Sequence, residues 1–154
     1  MTFRFINSSE KKKILEEIKN LYGISELNYL LMEAGKKRIR AFSGSLTKEE
    51  ISELNKFARI ENTGMYLASQ KDAEIRLNFD AVSLFREQIT KNIIEINDEQ
   101  FQKWIRGQDL ELATQRGTII IKYKDDLIGI GKSNGERIFN YIPKERKLKT
   151  QIPK

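Results

Sequence analysis

The chain contains neither cysteine nor histidine. The absence of cysteine excludes disulfide bonds, thiolate nucleophiles and cysteine-ligated zinc sites, and the absence of histidine removes the usual proton carrier near neutral pH. Carboxylates, lysines, tyrosines and hydroxyl groups are what remains for catalysis. We therefore expect no metal site and no cofactor, and we expect a protein that is not an enzyme.

Long apolar runs are also missing, since no stretch approaches the roughly 20 apolar residues of a membrane-spanning helix. The stretch from Met1 to Ile6 is short and is soon followed by Lys11, Lys12 and Lys13, unlike a signal peptide. We expect a cytoplasmic protein with no membrane partner. Abundant isoleucine, lysine and glutamate indicate an AT-rich genome or growth at high temperature, and on that basis we expect an archaeal origin.

Positive charge is concentrated toward the C-terminus of the 154 residues, whose net charge is +6. Residues 1–88 hold fifteen Lys and Arg against thirteen Asp and Glu, and residues 89–154 hold thirteen against nine. From Gly129 onward, seven basic residues accompany only Glu136 and Glu145. A basic segment near one end is typical of a protein that binds a polyanion, although lysine-rich termini are equally common as solvated tails.

Hydrophobic periodicity predicts an α+β module over residues 1–88, a small antiparallel sheet with helices. Strands are predicted at 3–6, 28–33, 38–42, 60–68 and 74–79. Helices are predicted after Ser8 or Ser9, ending at Gly23, and after the capping box that begins at Thr47. The Thr47 helix should bury Ile51, Leu54 and Phe57, and Asp80 should cap a short helix over 81–85.

A second module is predicted over residues 89–154, with the boundary in the polar stretch 86–92. Strand 93–96 precedes a helix capped by Asp98, whose Trp104 is expected in the core from its register. Strands near 119–124, 127–131 and 137–142 follow, with a hairpin turn at Asp125 and Asp126. Several short strands after one helix indicate a small barrel or pseudo-barrel.

The segment Gly129-Ile130-Gly131-Lys132-Ser133 looks like a phosphate-binding loop but lacks its pattern. A P-loop requires glycine five residues before Gly131, where this chain has Asp126, and a helix afterwards. These glycines are expected to allow the backbone to turn sharply or another chain to approach.

Two short motifs lie between Phe101 and Leu148. Lys132 completes a Gly-x-Gly-Lys motif. Asn140, Pro143 and Lys144 follow in an Asn-x-x-Pro-Lys pattern, with Arg146 and Lys147 after it. Together with their surroundings, the segments 104–111, 116–120, 127–133 and 137–146, these motifs resemble the C-terminal PUA-like domain of rRNA cytosine-5 methyltransferases of the Nol/Nop/Sun class. In that class the Gly-x-Gly-Lys turn precedes an Asn-x-x-Pro-Lys-x-x-Arg ending, so Arg146 comes one residue early and Lys147 takes the arginine position.

The resemblance implies RNA binding by a PUA-like β pseudo-barrel. The whole chain is similar to stand-alone archaeal ribosome-biogenesis proteins of that group, and its layout is similar to Nip-type assembly factors. Cytosine-5 methylation requires a cysteine thiolate to attack the base, and the chain contains none. We therefore expect the targeting module without the methyltransferase domain.

Our first hypothesis is an rRNA-binding protein of ribosome assembly or modification. One alternative is a protein-interaction adaptor that recruits an RNA methyltransferase or an assembly factor. Others are a tRNA-binding protein and an RNA-modifying enzyme that uses Asp80 or another carboxylate. For RNA binding, phosphate contacts are expected from Lys132, Arg137, Lys144, Arg146 and Lys147, base contacts from Asn140 and Tyr141, and an extension of the surface from Lys36, Lys37, Arg38 and Arg40.

Overall fold

The structure is a computed structural model that describes residues 3–35, 37–43, 47–54, 56, 64–71 and 74–143. Helices accompany two sheets, and the predicted α+β class is confirmed. The first half consists of β1 (Phe3–Phe5), α1 (Ser8–Tyr22), β2 (Tyr29–Ala34), β3 (Arg38–Ser43), α2 (Lys48–Leu54), β4 (Met65–Lys71), β5 (Glu74–Leu77) and α3 (Phe79–Leu84). The second half consists of β6 (Ile93–Glu95), α4 (Asp98–Ile105), β7 (Gly117–Tyr123), β8 (Asp126–Ser133) and β9 (Ile138–Asn140).

The first sheet is antiparallel throughout, in the order β1-β2-β3-β4-β5. Alternate residues of a strand point to opposite faces, so each face has its own composition. One face carries Ile39 and packs with Ile18 of α1 in the main core. Part of the other face carries Met32 and packs with Ile51 of α2. The rest of that second face, over β3, β4 and β5, carries a row of polar side chains.

The N-caps of the two longer helices lie one residue before the nearest predicted cap. Asn7, rather than Ser8 or Ser9, accepts a hydrogen bond from the backbone N–H of Glu10, and the Glu10 side chain bonds back to Asn7. Asn97, rather than Asp98, forms the same reciprocal capping box with Gln100. An Asn carbonyl reaches the third helical N–H as well as a hydroxyl or carboxylate does, so neighbouring candidates compete.

Two further predictions in the first half are wrong, and others lie outside the described residues. Helix α3 has Asn78 at its N-cap position, so Asp80 lies within the first turn instead of capping the helix. Leu54 is 45% exposed, because α2 ends there and only Ile51 reaches the core. Phe57 and the predicted strand start at 60–63 lie outside the described residues. The capping box at Thr47 is confirmed, with Glu50 as its partner.

The second sheet has the order β6-β7-β8-β9, with β6 parallel to β7 and the other pairs antiparallel. Leu110 forms an isolated bridge with Ile138 on the outer side of β9. Over the described ranges β6 and β9 lie apart in the strand order, so the predicted pseudo-barrel is not closed. The parallel β6–β7 pair is connected through α4, because parallel strands need a crossover, and the hairpin from β7 places β8 on the other side of β7.

Trp104 is fully buried between α4 and the second sheet, as its register predicted. The glycine-rich segment lies inside β8, where both glycines allow close approach. A Cβ on Gly129 would lie 3.0 Å from Trp104 Nε1. A Cβ on Gly131 would lie 2.5 Å from the Phe139 carbonyl oxygen and 2.8 Å from the Trp104 ring. Of the two expected roles for these glycines, the structure shows the close approach and no turn.

The two halves share the main core. Ile120 and Ile130 of the second sheet belong to the same buried cluster as Leu77 and Val82 of the first half. The backbone N–H of Thr90 donates to the Tyr22 carbonyl at 2.8 Å. The division into two domains at residue 88 stays a prediction. The chain does pass from the first sheet to the second between β5 and β6. Among the described residues, no helix is long and apolar enough to cross a membrane.

Candidate nucleic-acid interface

The structure places seven of the eleven predicted RNA-binding residues. Lys36, Lys144, Arg146 and Lys147 lie outside the described residues. Of the others, Lys37, Arg38 and Arg40 belong to the β2–β3 hairpin, whereas Lys132, Arg137, Asn140 and Tyr141 lie on or just after β8 and β9. All eleven assignments stay predictions, and the geometry below shows which residues lie together.

The hairpin residues divide between the two faces of the first sheet. Lys37 lines a groove of about 680 Å³ on the side of α1, together with Lys13 and Glu17. Charge in this groove is mixed, because Arg4 forms ion pairs with Glu10 and Glu33, both at 2.7 Å. Burial, and secondarily the neighbouring Glu74, raise the pKa of the Glu17 carboxyl. Alternating charges make this groove a poor match for a polyanion.

Arg38 and Arg40 lie on the opposite face, around the ring of Tyr66. Their guanidinium carbons are 5.6 and 5.8 Å from the ring centre, within the range of cation–π attraction. The position follows from the strand pairing, because Arg40 lies opposite Tyr66 and a register shift between Ile39 and Arg40 brings both arginines to this ring. The half-exposed Arg40 also donates to the Gly64 carbonyl.

A second arginine–tyrosine pair lies beside the first and joins the two halves of the chain. The Arg76 guanidinium carbon is 4.2 Å from the centre of the Tyr141 ring. Ser69 pairs with Arg38 on one side and with Arg76 on the other, so these side chains form a row across three strands. Strand spacing puts the two arginine Cα atoms about 10 Å apart. We call the set Arg38, Arg40, Tyr66, Ser69, Arg76 and Tyr141 the junction surface.

The junction surface borders a small cavity of about 60 Å³ between the halves. Tyr66, Arg76 and Tyr141 line it together with Ile130 of β8. This volume is too small for a nucleobase, so a base would lie against the rings on the outside. Across the portion of the chain that the structure describes, neither Arg38 nor Arg76 forms an ion pair.

The end of the second sheet presents more basic and aromatic groups. Lys132 is half-buried and lies opposite Phe139, whose side chain is 36% exposed. Arg137 forms an ion pair with Glu111 at 2.9 Å and a longer one with Asp109 at 3.9 Å. Exposed pairs of this kind contribute little to stability. Lys132 and Phe139 share a sheet face with Ile130, because cross-strand partners and alternate residues point the same way.

Asn140 is engaged inside the protein. Its Nδ2 donates to the carbonyls of Trp104 and Gln108, at 2.8 and 3.0 Å. Its Oδ1 accepts from the N–H of Ile142 at 2.8 Å. An amide offers two hydrogens and one carbonyl, so this arrangement leaves no free donor for a base edge. In this structure Asn140 fixes the path of the chain into Tyr141.

Sequence reasoning missed Tyr66, Arg76 and Phe139. Alternation within β5 could have placed Arg76 opposite the buried Ile75 and Leu77. Its contact with Tyr141 joins residues 65 positions apart, which no local pattern reveals. Phe139 lies between the buried Ile138 and the motif residue Asn140 in a predicted strand, and the sequence gives no separate signal of its exposure.

One family model matches part of the second half of the chain. Residues 91–148 match the family model described as the methyltransferase RsmF PUA domain. That stretch includes Lys132, Arg137, Asn140 and Tyr141. The second half of the chain is therefore similar to the PUA domain of this class of methyltransferase.

Curated relatives named ribosomal RNA small subunit methyltransferase F extend the similarity. The protein of Photobacterium profundum is 33% identical over 89 residues, 56% of this chain and 19% of that protein. The protein of Vibrio parahaemolyticus is 26% identical over 152 residues, 93% of this chain and 31% of that protein. The similarity thus reaches the first half as well, although the chain spans only about a fifth to a third of these relatives. Archaeal origin stays a prediction.

Proposed function

We propose that this chain acts as a non-catalytic RNA-binding protein whose target is rRNA during ribosome assembly or modification. The proposal depends on one observation: Tyr141, inside the segment that matches the PUA model, is half-exposed with the Arg76 guanidinium at 4.2 Å. Aromatic rings and arginine planes stack on unpaired RNA bases, and guanidinium groups bind phosphates.

The names of the relatives support rRNA as the target, because each is called a small-subunit rRNA methyltransferase. The chain itself offers no cysteine thiolate for attack on a cytosine. These two facts favour a contribution to RNA binding over one to the chemical step.

Replacement of Lys132 by Glu tests the binding directly. With about five phosphate contacts, the logarithm of the RNA affinity should fall with the logarithm of salt concentration at a slope of roughly −3.5 to −4.5. Lys132→Glu should weaken binding about tenfold and make the slope shallower by about 1. The measurement is fluorescence anisotropy with a labelled small-subunit rRNA fragment at several salt concentrations.

Lys103→Glu is the matched control, because it makes the same charge change on the exposed surface of α4. Lys103→Glu should leave the RNA affinity within about twofold of that of the unmodified protein, because it changes only the net charge. Thermal melting of both variants separates lost contacts from lost folding. Equal weakening by the two variants, or a flat salt dependence, would contradict specific RNA binding at this surface.

Crosslinking in cells tests the target. Tagged protein is irradiated with ultraviolet light, and the attached RNA is sequenced. Reads concentrated at one rRNA site support the proposal, whereas reads dominated by tRNA overturn its rRNA part. Crosslinking no better than an untagged control, together with a protein partner that survives nuclease treatment, would favour the adaptor function instead.

A further inference from the structure

The junction surface combines cations and aromatic rings from both halves of the chain. The PUA-like segment contributes Tyr141, and the first half contributes Arg38, Arg40, Tyr66 and Arg76. We propose that the junction surface binds a single-stranded RNA segment, with bases on the rings of Tyr66 and Tyr141 and phosphates on Arg38 and Arg76. This inference rests on the proposed function and extends the binding site into the first half.

The charge of the surface matches a phosphate backbone. Arg38 and Arg76 lie in one row about 10 Å apart, with only the neutral Ser69 between them. Neither forms an ion pair with a described carboxylate. Phosphates that follow the row would therefore gain attraction without breaking an internal ion pair, and they would relieve the repulsion between the two guanidinium groups.

The rings favour a single strand over a duplex. Tyr66 and Tyr141 are both half-exposed and border the same cavity. A ring can stack only on a base whose face is uncovered, and the bases of an A-form duplex are already stacked on one another. Each arginine can keep its tyrosine in orientation while it contacts a phosphate of the RNA backbone. One arginine–tyrosine pair can therefore bind both the phosphate and the base of a nucleotide.

A purely structural role is the competing explanation, in which the Arg76–Tyr141 contact only fastens the two halves together. Under that explanation Tyr66 and Arg38 have no part in RNA binding, because neither forms a cation–π contact with a residue of the second half. Variants of Tyr66 and Arg38 therefore separate the two explanations more cleanly than variants of Tyr141.

The experiment compares full-length variants on two probes: a fluorescein-labelled 12-nucleotide single-stranded RNA of mixed sequence, and the same RNA annealed to its complement. Tyr66→Leu should weaken binding to the single strand about tenfold or more and leave duplex binding within about twofold. Tyr66→Phe keeps the ring and should bind like the unmodified protein. Arg38→Gln should weaken binding to both probes, because it removes a phosphate contact.

Tyr123→Leu is the matched control, because this half-buried tyrosine also has a cation over its ring, Lys124 at 5.2 Å, but lies at the end of β7, outside the junction surface. It should bind both probes normally. Melting curves check that each variant is folded. Arg38→Gln leaves the core intact, because Arg38 is exposed.

The outcomes separate the two proposals. If Lys132→Glu weakens binding while Tyr66→Leu and Arg38→Gln do not, the junction surface is wrong and the proposed function stands. If Tyr66→Leu weakens single-strand and duplex binding equally, stacking on Tyr66 is refuted. If the unmodified protein binds neither probe nor any rRNA fragment, the proposed function fails as well.

Discussion

Three hydrogen bonds hold the Asn140 side chain, and their loss should destabilise the protein. Asn140→Ala should lower the free energy of unfolding by roughly 1.5–3 kcal/mol, because two carbonyls and one N–H lose their partner in a half-buried site. Urea unfolding measures the change.

Asn134→Ala is the comparison, since Asn134 accepts backbone N–H bonds from Glu136 and Arg137 in an exposed turn that water can satisfy. It should cost less than about 1 kcal/mol. A stable Asn140→Ala variant that fails to bind RNA would instead support the original prediction that Asn140 contacts a base.

Gly131 allows three parts of the second half to meet, and any side chain there should be costly. A Cβ would lie 2.5 Å from the Phe139 carbonyl oxygen and 2.9 Å from Ile138 Cγ2, so β9 and the Trp104 ring would both have to move. Gly131→Ala should therefore destabilise the protein by about 1–3 kcal/mol or more.

At Gly129, two residues earlier, a Cβ would meet Trp104 Nε1 at 3.0 Å and otherwise ordinary contacts. Gly129→Ala should thus be the milder change in the same thermal unfolding experiment. The reverse order would show that β8 does not pack as described. The residue types were visible in the sequence, but the choice between a turn and a close approach required the position of Trp104.

At the scale of elements, Tyr22 fastens α1 to the first sheet. Its hydroxyl donates to the Ile75 carbonyl at 2.6 Å, and burial raises the pKa of this phenol well above its ordinary value of about 10. Above pH 10 the unfolded chain loses this proton while the folded protein keeps it. Stability that is fully present below pH 10 is therefore lost as the pH rises further, by up to about 1.4 kcal/mol per pH unit.

Tyr22→Phe tests this linkage. At pH 7 the variant should be less stable by about 0.5–1.5 kcal/mol, because the hydrogen bond is lost. Between pH 10 and 11 the two proteins should converge, because only the unmodified chain carries the phenol. Guanidinium unfolding at each pH gives both curves, and all other titrating groups are shared. A constant difference across this range would contradict the raised pKa.

Elements were predictable where local chemistry decides them. The hydroxyl of Thr47 and the carboxylate of Glu50 have the spacing of a capping box, and α2 begins there. Gly23 ends α1 because its φ of 86° suits a residue without a Cβ. The predicted N-cap is wrong by one residue where several capping side chains follow one another, as at Asn7-Ser8-Ser9. The preferences of these side chains for the N-cap position are nearly equal.

At the scale of the whole molecule, the shared core predicts one cooperative unfolding transition. Ile120 and Ile130 are buried with the first sheet, so neither half buries its apolar surface alone. Trp104, the only tryptophan, reports on the second half, whereas far-UV circular dichroism is dominated by α1 in the first. In urea the two signals should give the same midpoint.

Ile130→Ala sharpens this test, because it removes a buried side chain at the contact between the halves. It should destabilise the protein by about 2–4 kcal/mol and shift both signals equally. Separate midpoints, or a shift of the tryptophan signal alone, would show that the halves unfold independently and would favour two domains.

The sequence by itself determined the α+β class, the approximate place of most strands and helices, the burial of Trp104 and the basic C-terminal segment. These features depend on residues close together in the chain, through periodicity, capping and local charge. Only the tertiary structure decided that the second sheet is open over the described residues, that Lys37 and Arg38 lie on opposite faces, and that Arg76 stacks on Tyr141. These depend on strand order and register, which bring together residues far apart in sequence.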